Sequence, residues 1–195
     1  MKADVRAAAG MWAKAVCPAF FYLACRWALR ISGGAPWAEA AGTGLLLAVF
    51  GFYRFRHSRP EPVSRRKAFR AVLLCGAAGL AAGGLIRLIP GGEHLDACSP
   101  AAVLLMSMLG PACEEIVYRG VVFDAAEKLG GSGLALVLST ALFACGHRTL
   151  LQMALSVPVG LILGMIRNKE GNLLAPLAFH AALNVAALIF AAQVS

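Results

Sequence analysis

Charge is what this sequence has least of. Of 195 residues, 10 are Asp or Glu and 18 are Lys or Arg, a charged fraction of 14%. A soluble domain carries about a quarter of its residues as charges, so the deficit excludes an ordinary water-soluble fold. Histidine is equally sparse, with four in the chain. There is no HExxH, which excludes a zincin on motif grounds. The six cysteines (17, 25, 75, 98, 113 and 145) show no CxxC spacing. Five of them fall in apolar stretches, where Cys acts as a small hydrophobe, so no disulfide framework is expected. No internal repeat, low-complexity tract or separate domain is present, and the 54–68 loop is the only linker-like segment.

What remains is apolar. The hydrophobic fraction is 59% and the mean hydropathy +0.72, and the apolar residues come in long blocks. Crossing a bilayer as a helix takes about 20 residues. Seven such blocks are expected, at about 11–31, 35–53, 69–89, 99–122, 133–147, 150–166 and 173–193. The fold class is therefore all-α, a polytopic integral membrane helix bundle of about seven transmembrane helices. It forms a single membrane domain, with three N-terminal spans over 1–98 and a core over 99–195. The fifth and sixth blocks are short and joined tightly around "GHRTL".

Basic residues set the expected orientation. Arg54, Arg56, Arg59, Arg65, Arg66, Lys67 and Arg70 crowd one loop, and Glu93 and Asp96 lie in a loop on the other side. That puts the N-terminus in the cytoplasm and the C-terminus outside, although Arg26, Arg30, Arg87 and Arg148 fall towards the outer ends. The net charge of +8 is then topology charge facing anionic lipid headgroups, and nucleic acid is not an expected partner. The basic start resembles a signal peptide, but Arg26 and Arg30 interrupt the region of a cleavage site, so an uncleaved first span is expected.

Against this background "GPACEEIVYRGVVF", residues 110–123, places Glu114, Glu115 and Arg119 inside an apolar block. A charge at the bilayer centre costs roughly 2.5–3.5 kcal/mol on insertion scales, so these side chains must pair, face the bundle interior or line a wet cavity. Glu115 and Arg119 have the i, i+4 spacing of an ion pair with the acid first. Glu114 falls on the stripe of Tyr118 and is freer to face a cavity. Two further pairs lie on other apolar blocks: Phe143 with His147 in "FACGH" on the fifth, and His180 with Asn184 in "HAALN" on the seventh. Kinks at Pro111 and Pro176 are expected to bring these levels together.

A Glu and a His can polarise water, and a second His with an Asn can donate to the oxyanion of a tetrahedral intermediate. That is the equipment for amide hydrolysis without a Ser or Cys nucleophile. Glu114, His147 and His180 are also a possible three-ligand zinc set. The same residues as a structural knot in a non-catalytic immunity or scaffold protein remain open. A small transporter fits less well, since transporters often show paired halves.

In the order EExxxR, FxxxH and HxxxN, the motifs over roughly 110–185 resemble those of the CPBP family of intramembrane proteases, also called the Abi or type II CAAX prenyl endopeptidase family. The resemblance implies an intramembrane endopeptidase acting on a membrane-associated peptide or protein. It implies that Glu114 activates water with help from His147, and that His180 and Asn184 hold the oxyanion. Glu115, Arg119 and Phe143 would support them. The family has been described both as metalloproteases and as metal-free glutamic proteases; the metal-free form is favoured here, with no cofactor. The chain is shorter than larger members after the third motif, and its compact form with N-terminal bases looks bacterial, placing it in the inner membrane. Relatives in bacteria are linked to bacteriocin maturation or immunity, signal processing and removal of sorting helices. The substrate, the oligomeric state and the leaflet to which the site opens are not fixed by the sequence.

Overall fold

The structure, a computed structural model, describes residues 2–31, 36–57, 64–86 and 100–192. The loop with Glu93, Asp96 and Cys98, together with Arg59 and Arg87, lies outside these residues. The described chain is helical throughout, with no strand among the described residues. Helix α1 is Lys2–Ile31, α2 is Pro36–His57 and α3 is Arg65–Ile86. A long rod then starts at Pro100 and ends at Cys145. It breaks at Gly130 and Gly131, where Gly131 takes φ 77° and only glycine is at ease. We call the part before the break α4 and the part after it α5. Helix α6 is Leu150–Glu170 and α7 is Leu174–Ala192.

Among the described residues three helices are long and apolar enough to cross a membrane: Arg65–Ile86, Ser107–Cys145 and Leu150–Glu170. Leu174–Ile189 is a shorter apolar helix. The expected bundle is therefore present, while the expectation of seven spans goes beyond these. Burial fits a bilayer better than water. Arg119 and Glu115 are 0% and 1% exposed, whereas Leu74 and Leu85 are 68% and 67% exposed. Polar residues turned inward and large apolar residues turned outward reverse the arrangement of a soluble fold and match a lipid surround.

Two expectations about local structure are corrected. The 99–122 block is not a plain α-helix. It contains π-helical turns at Leu105–Leu109 and Glu115–Val122, on either side of a short α-helical stretch, Gly110–Glu114. Pro111 has no N–H to give and its ring crowds the preceding turn. The wider turn before it, closed by Gly110 N–H to Leu105 O, accommodates both. Pro176 does not kink α7; it is the third residue of that helix, where a missing N–H costs nothing.

Helix α7 is placed by glycines. Gly79 and Gly83 of α3 lie against the Phe179 and Leu183 backbone, where any Cβ would collide. The contacts advance together along both helices, so α3 and α7 run parallel with their backbones nearly touching. Small residues one turn apart are the usual means of such an approach between helices in lipid. Helix α6 starts from a capping box, Thr149 with Gln152. It ends at Gly171 with φ 67°, after which Asn172 Oδ1 accepts from Leu174 N–H and Ala175 N–H to open α7.

Candidate active site

Of the polar residues singled out in the sequence, Glu114, Glu115 and Arg119 of α4 meet His180 of α7. Glu115 begins the second π turn and is sealed from solvent. Its Oε1 receives Arg119 Nη1 at 3.3 Å, the expected ion pair, and lies 2.9 Å from His180 Nδ1. The other oxygen, Oε2, is buried with no hydrogen-bond partner among the described residues. Arg119 also donates through Nη2 to the carbonyl of Gly160 on α6, 3.2 Å away. Gly160 permits this because its missing side chain leaves room for Thr140 and Phe143.

Glu114 is more open, its side chain 21% exposed against 1% for Glu115. Its Oε2 lies 3.8 Å from His180 Nε2. The two adjacent carboxylates thus approach the two nitrogens of one imidazole. Successive residues of an α-helix diverge by about 100°, which led to the expectation that the pair would face different surroundings. They differ in burial, yet His180 on the neighbouring helix reaches between them.

His147 is placed differently from its sequence reading. Helix α5 ends at Cys145, and His147 sits in the turn before α6, with its backbone N–H on Ala144 O at 3.1 Å. Gly146 starts the turn and Thr149 stops it by capping the next helix. The ring folds back so that Nδ1 meets Phe143 O at 3.1 Å. A carbonyl can only accept, so Nδ1 carries the proton and Nε2 the lone pair. His147 lines a cavity of about 720 Å³ with Arg26, Trp27, Gly146 and Arg148. Among the described residues Glu114 makes its ion-pair contact with His180, not with His147.

Phe143 joins the two histidines. Its ring stands edge-on to His147 at 5.0 Å and to His180 at 5.6 Å between centroids. The Arg119 guanidinium lies 4.4 Å over its face, and Tyr118 meets it at 5.7 Å. A ring with a negative face and positive edge suits a cation above it and imidazoles around it. Asn184 follows His180 by one turn on α7 and is half-buried.

Among the described residues no three His, Cys, Asp or Glu side chains gather closely enough to hold a metal ion. Glu114, His147 and His180 form no such cluster in this arrangement.

The family comparison falls on this part of the chain. Residues 97–186 match the family model described as type II CAAX prenyl endopeptidase, Rce1-like. Over those residues the chain is similar to that family. The match covers Glu114, Glu115, Arg119, Phe143, His147, His180 and Asn184, and it agrees with the family suggested by the three motifs. No curated protein and no solved structure matches the chain.

Sequence reasoning missed several partners of the site. The Gly160 carbonyl has no sequence signature. Gly79 and Gly83 form a small-xxx-small pair that was legible but unused. Arg54, counted only as topology charge, and Arg167 both reach Asp124 on α4.

Proposed function

We propose that the protein is an intramembrane endopeptidase that hydrolyses a peptide bond of a membrane-associated peptide or protein, with Glu114 as the base that activates water. The observation that carries this reading is the seat of His180, hydrogen-bonded to buried Glu115 and facing the more open Glu114. A partly open carboxylate beside a fixed imidazole in an otherwise apolar bundle is the equipment of general acid–base catalysis.

In this reading Glu114 takes a proton from water as the oxygen attacks the substrate carbonyl carbon. The carbonyl π electrons move to the oxygen, giving a tetrahedral oxyanion. His180, with Nδ1–H held by Glu115, donates to that oxyanion through Nε2–H as the imidazolium, and Asn184 supplies a second donor. Glu115, shared by Arg119 and His180, fixes the ring. Collapse of the intermediate breaks the C–N bond, and Glu114 returns its proton to the leaving amine. His147, with an unprotonated Nε2 at the cavity, accepts the second hydrogen bond of the attacking water.

The scheme uses no metal, a reading supported by the spacing of the donors: among the described residues no three His, Cys, Asp or Glu side chains cluster. The bundle sits in a bacterial inner membrane with its N-terminus in the cytoplasm, a placement supported by the basic 54–70 segment. The CAAX wording of the family makes a prenylated C-terminal peptide the first reporter to try.

The test compares the termini of membrane proteins in cells carrying the parent, the Glu114→Gln variant or neither. The reading expects a terminus that appears only with the parent. Identical termini in all three, with the parent fully expressed, would remove the enzymatic reading and leave the scaffold role.

A further inference from the structure

We propose that Asp124, together with Arg54 and Arg167, positions the hydrolytic centre by holding the π turn on which Glu115 and Arg119 stand; this rests on the reading of that centre given above. Asp124 divides its carboxylate between two helices. Oδ2 receives Arg54 Nη1 from α2, and Oδ1 receives Arg167 Nη2 from α6 at 2.9 Å. Each arginine also donates to the backbone of α4: Arg54 Nη1 to Gly120 O at 2.9 Å and Arg167 Nε to Arg119 O at 3.2 Å.

Those two carbonyls lie at a particular place. The π turn closes with Phe123 N–H on Tyr118 O, five residues back. When a helix returns from five-residue to four-residue bonding, the count slips by one and a carbonyl is passed over. The carbonyl next in line after Tyr118 is that of Arg119, which Arg167 Nε satisfies, while Arg54 Nη1 donates to Gly120 O beside it. A buried carbonyl without a donor is costly, so the arginines stabilise the π register over a regular α-helix. Asp124 neutralises them and fixes their direction.

The register matters because Arg119 is the buried partner of Glu115. Helix α6 is tied to this segment at two levels, by Arg119 on Gly160 O and by Arg167 on Arg119 O. Releasing the lower tie lets the segment slip towards α-helical bonding, which turns Glu114 and Glu115 relative to His180. The three side chains touch none of the reacting atoms, so their part is positioning. The side chains of Arg54, Asp124 and Arg167 are 19%, 23% and 13% exposed, so the cluster is largely withdrawn from water. The ties to backbone carbonyls distinguish it from charges that merely set topology.

The experiment uses the full chain in liposomes with a farnesylated CAAX reporter peptide, and compares the parent with Asp124→Asn, Asp124→Glu, Arg167→Lys and Glu114→Gln. Misplacing a reacting group by about 1 Å costs on the order of 100-fold, so Asp124→Asn is expected to lower kcat about 10- to 100-fold with KM within about twofold. Asp124→Glu should recover most of the loss. Arg167→Lys keeps the charge but loses the planar fork that reaches both Asp124 and Arg119 O, and should lower kcat in a protein of near-parental Tm. Independently of turnover, the ¹⁵N resonance of His180 Nδ1 should move in Asp124→Asn towards that of an imidazole without a carboxylate partner. Parental kcat and an unmoved resonance in both Asp124→Asn and Arg167→Lys, with Glu114→Gln inactive, would overturn the positioning role and leave the centre standing. Turnover by Glu114→Gln would overturn both.

Discussion

His180 Nδ1 lies 2.9 Å from Glu115 Oε1, although the two residues are 65 positions apart and on different helices. Both side chains are almost fully buried, at 6% and 1% exposure. Such a bond orients the ring and leaves one nitrogen, Nε2, for chemistry beside Glu114. The central claim is that this orientation makes Glu114 and His180 a working pair.

The two glutamates should separate by phenotype. Glu115→Gln leaves Arg119 buried without its counter-charge, and breaking a buried pair costs about 3–5 kcal/mol. A marked fall in Tm in detergent is expected for Glu115→Gln. Glu114→Gln, at a partly open position, should leave Tm near the parental value. Equal melting of both variants would contradict the division of roles.

Asn184→Ala should raise the activation barrier by roughly 2.7–4 kcal/mol if the carboxamide donates to the oxyanion. The rate of reporter cleavage at saturating substrate measures this. An unchanged kcat would take Asn184 out of the site.

Phe143→Leu keeps an apolar side chain but removes the ring shared by His147, His180 and Arg119. Lost packing and the lost cation–π contact together should cost about 1–3 kcal/mol of stability, and activity should fall with it. A leucine variant with parental Tm and kcat would reduce Phe143 to filler.

Chelator should leave cleavage unchanged, and purified protein should contain far less than stoichiometric zinc. Inhibition by chelator that zinc reverses would show that the donor set rearranges around a metal, contrary to the arrangement found.

Gly83→Leu should prevent α7 from seating on α3, since a Cβ there already meets the Leu183 backbone and Ala186 Cβ. Overpacking of this kind costs about 1–3 kcal/mol or more, and His180 and Asn184 would be displaced with the helix. A variant with parental Tm and cleavage rate would show that the α3–α7 contact is dispensable.

Much of this arrangement was legible in the sequence because charge in an apolar chain is conspicuous. Glu114, Glu115, Arg119, His147, His180 and Asn184 stand out with no knowledge of the fold, and the Glu115–Arg119 pair follows from helical spacing. The hydropathy blocks anticipated an all-helical bundle. Spacing assumes an α-helix, however, and that assumption failed in two places. The π turn that begins at Glu115 depends on how neighbouring helices satisfy its carbonyls, which no local pattern records, and the one before Pro111 answers proline's missing N–H. His147 was placed on a helix because "FACGH" continues the apolar run, whereas Gly146 and the Thr149 cap end that helix two residues earlier. The long-range partners, Gly160 O for Arg119 and Asp124 for Arg54 and Arg167, are set by packing and only emerge in three dimensions.

The most direct test is single-turnover hydrolysis in ¹⁸O-labelled water, with enzyme in excess over the farnesylated CAAX reporter, for the parent and Glu114→Gln. The account predicts that the parent places ¹⁸O in the new carboxylate during the first turnover and that Glu114→Gln, folded and equally abundant, yields no product. Unlabelled first-turnover product from the parent, or labelled product from Glu114→Gln at the parental rate, would contradict it.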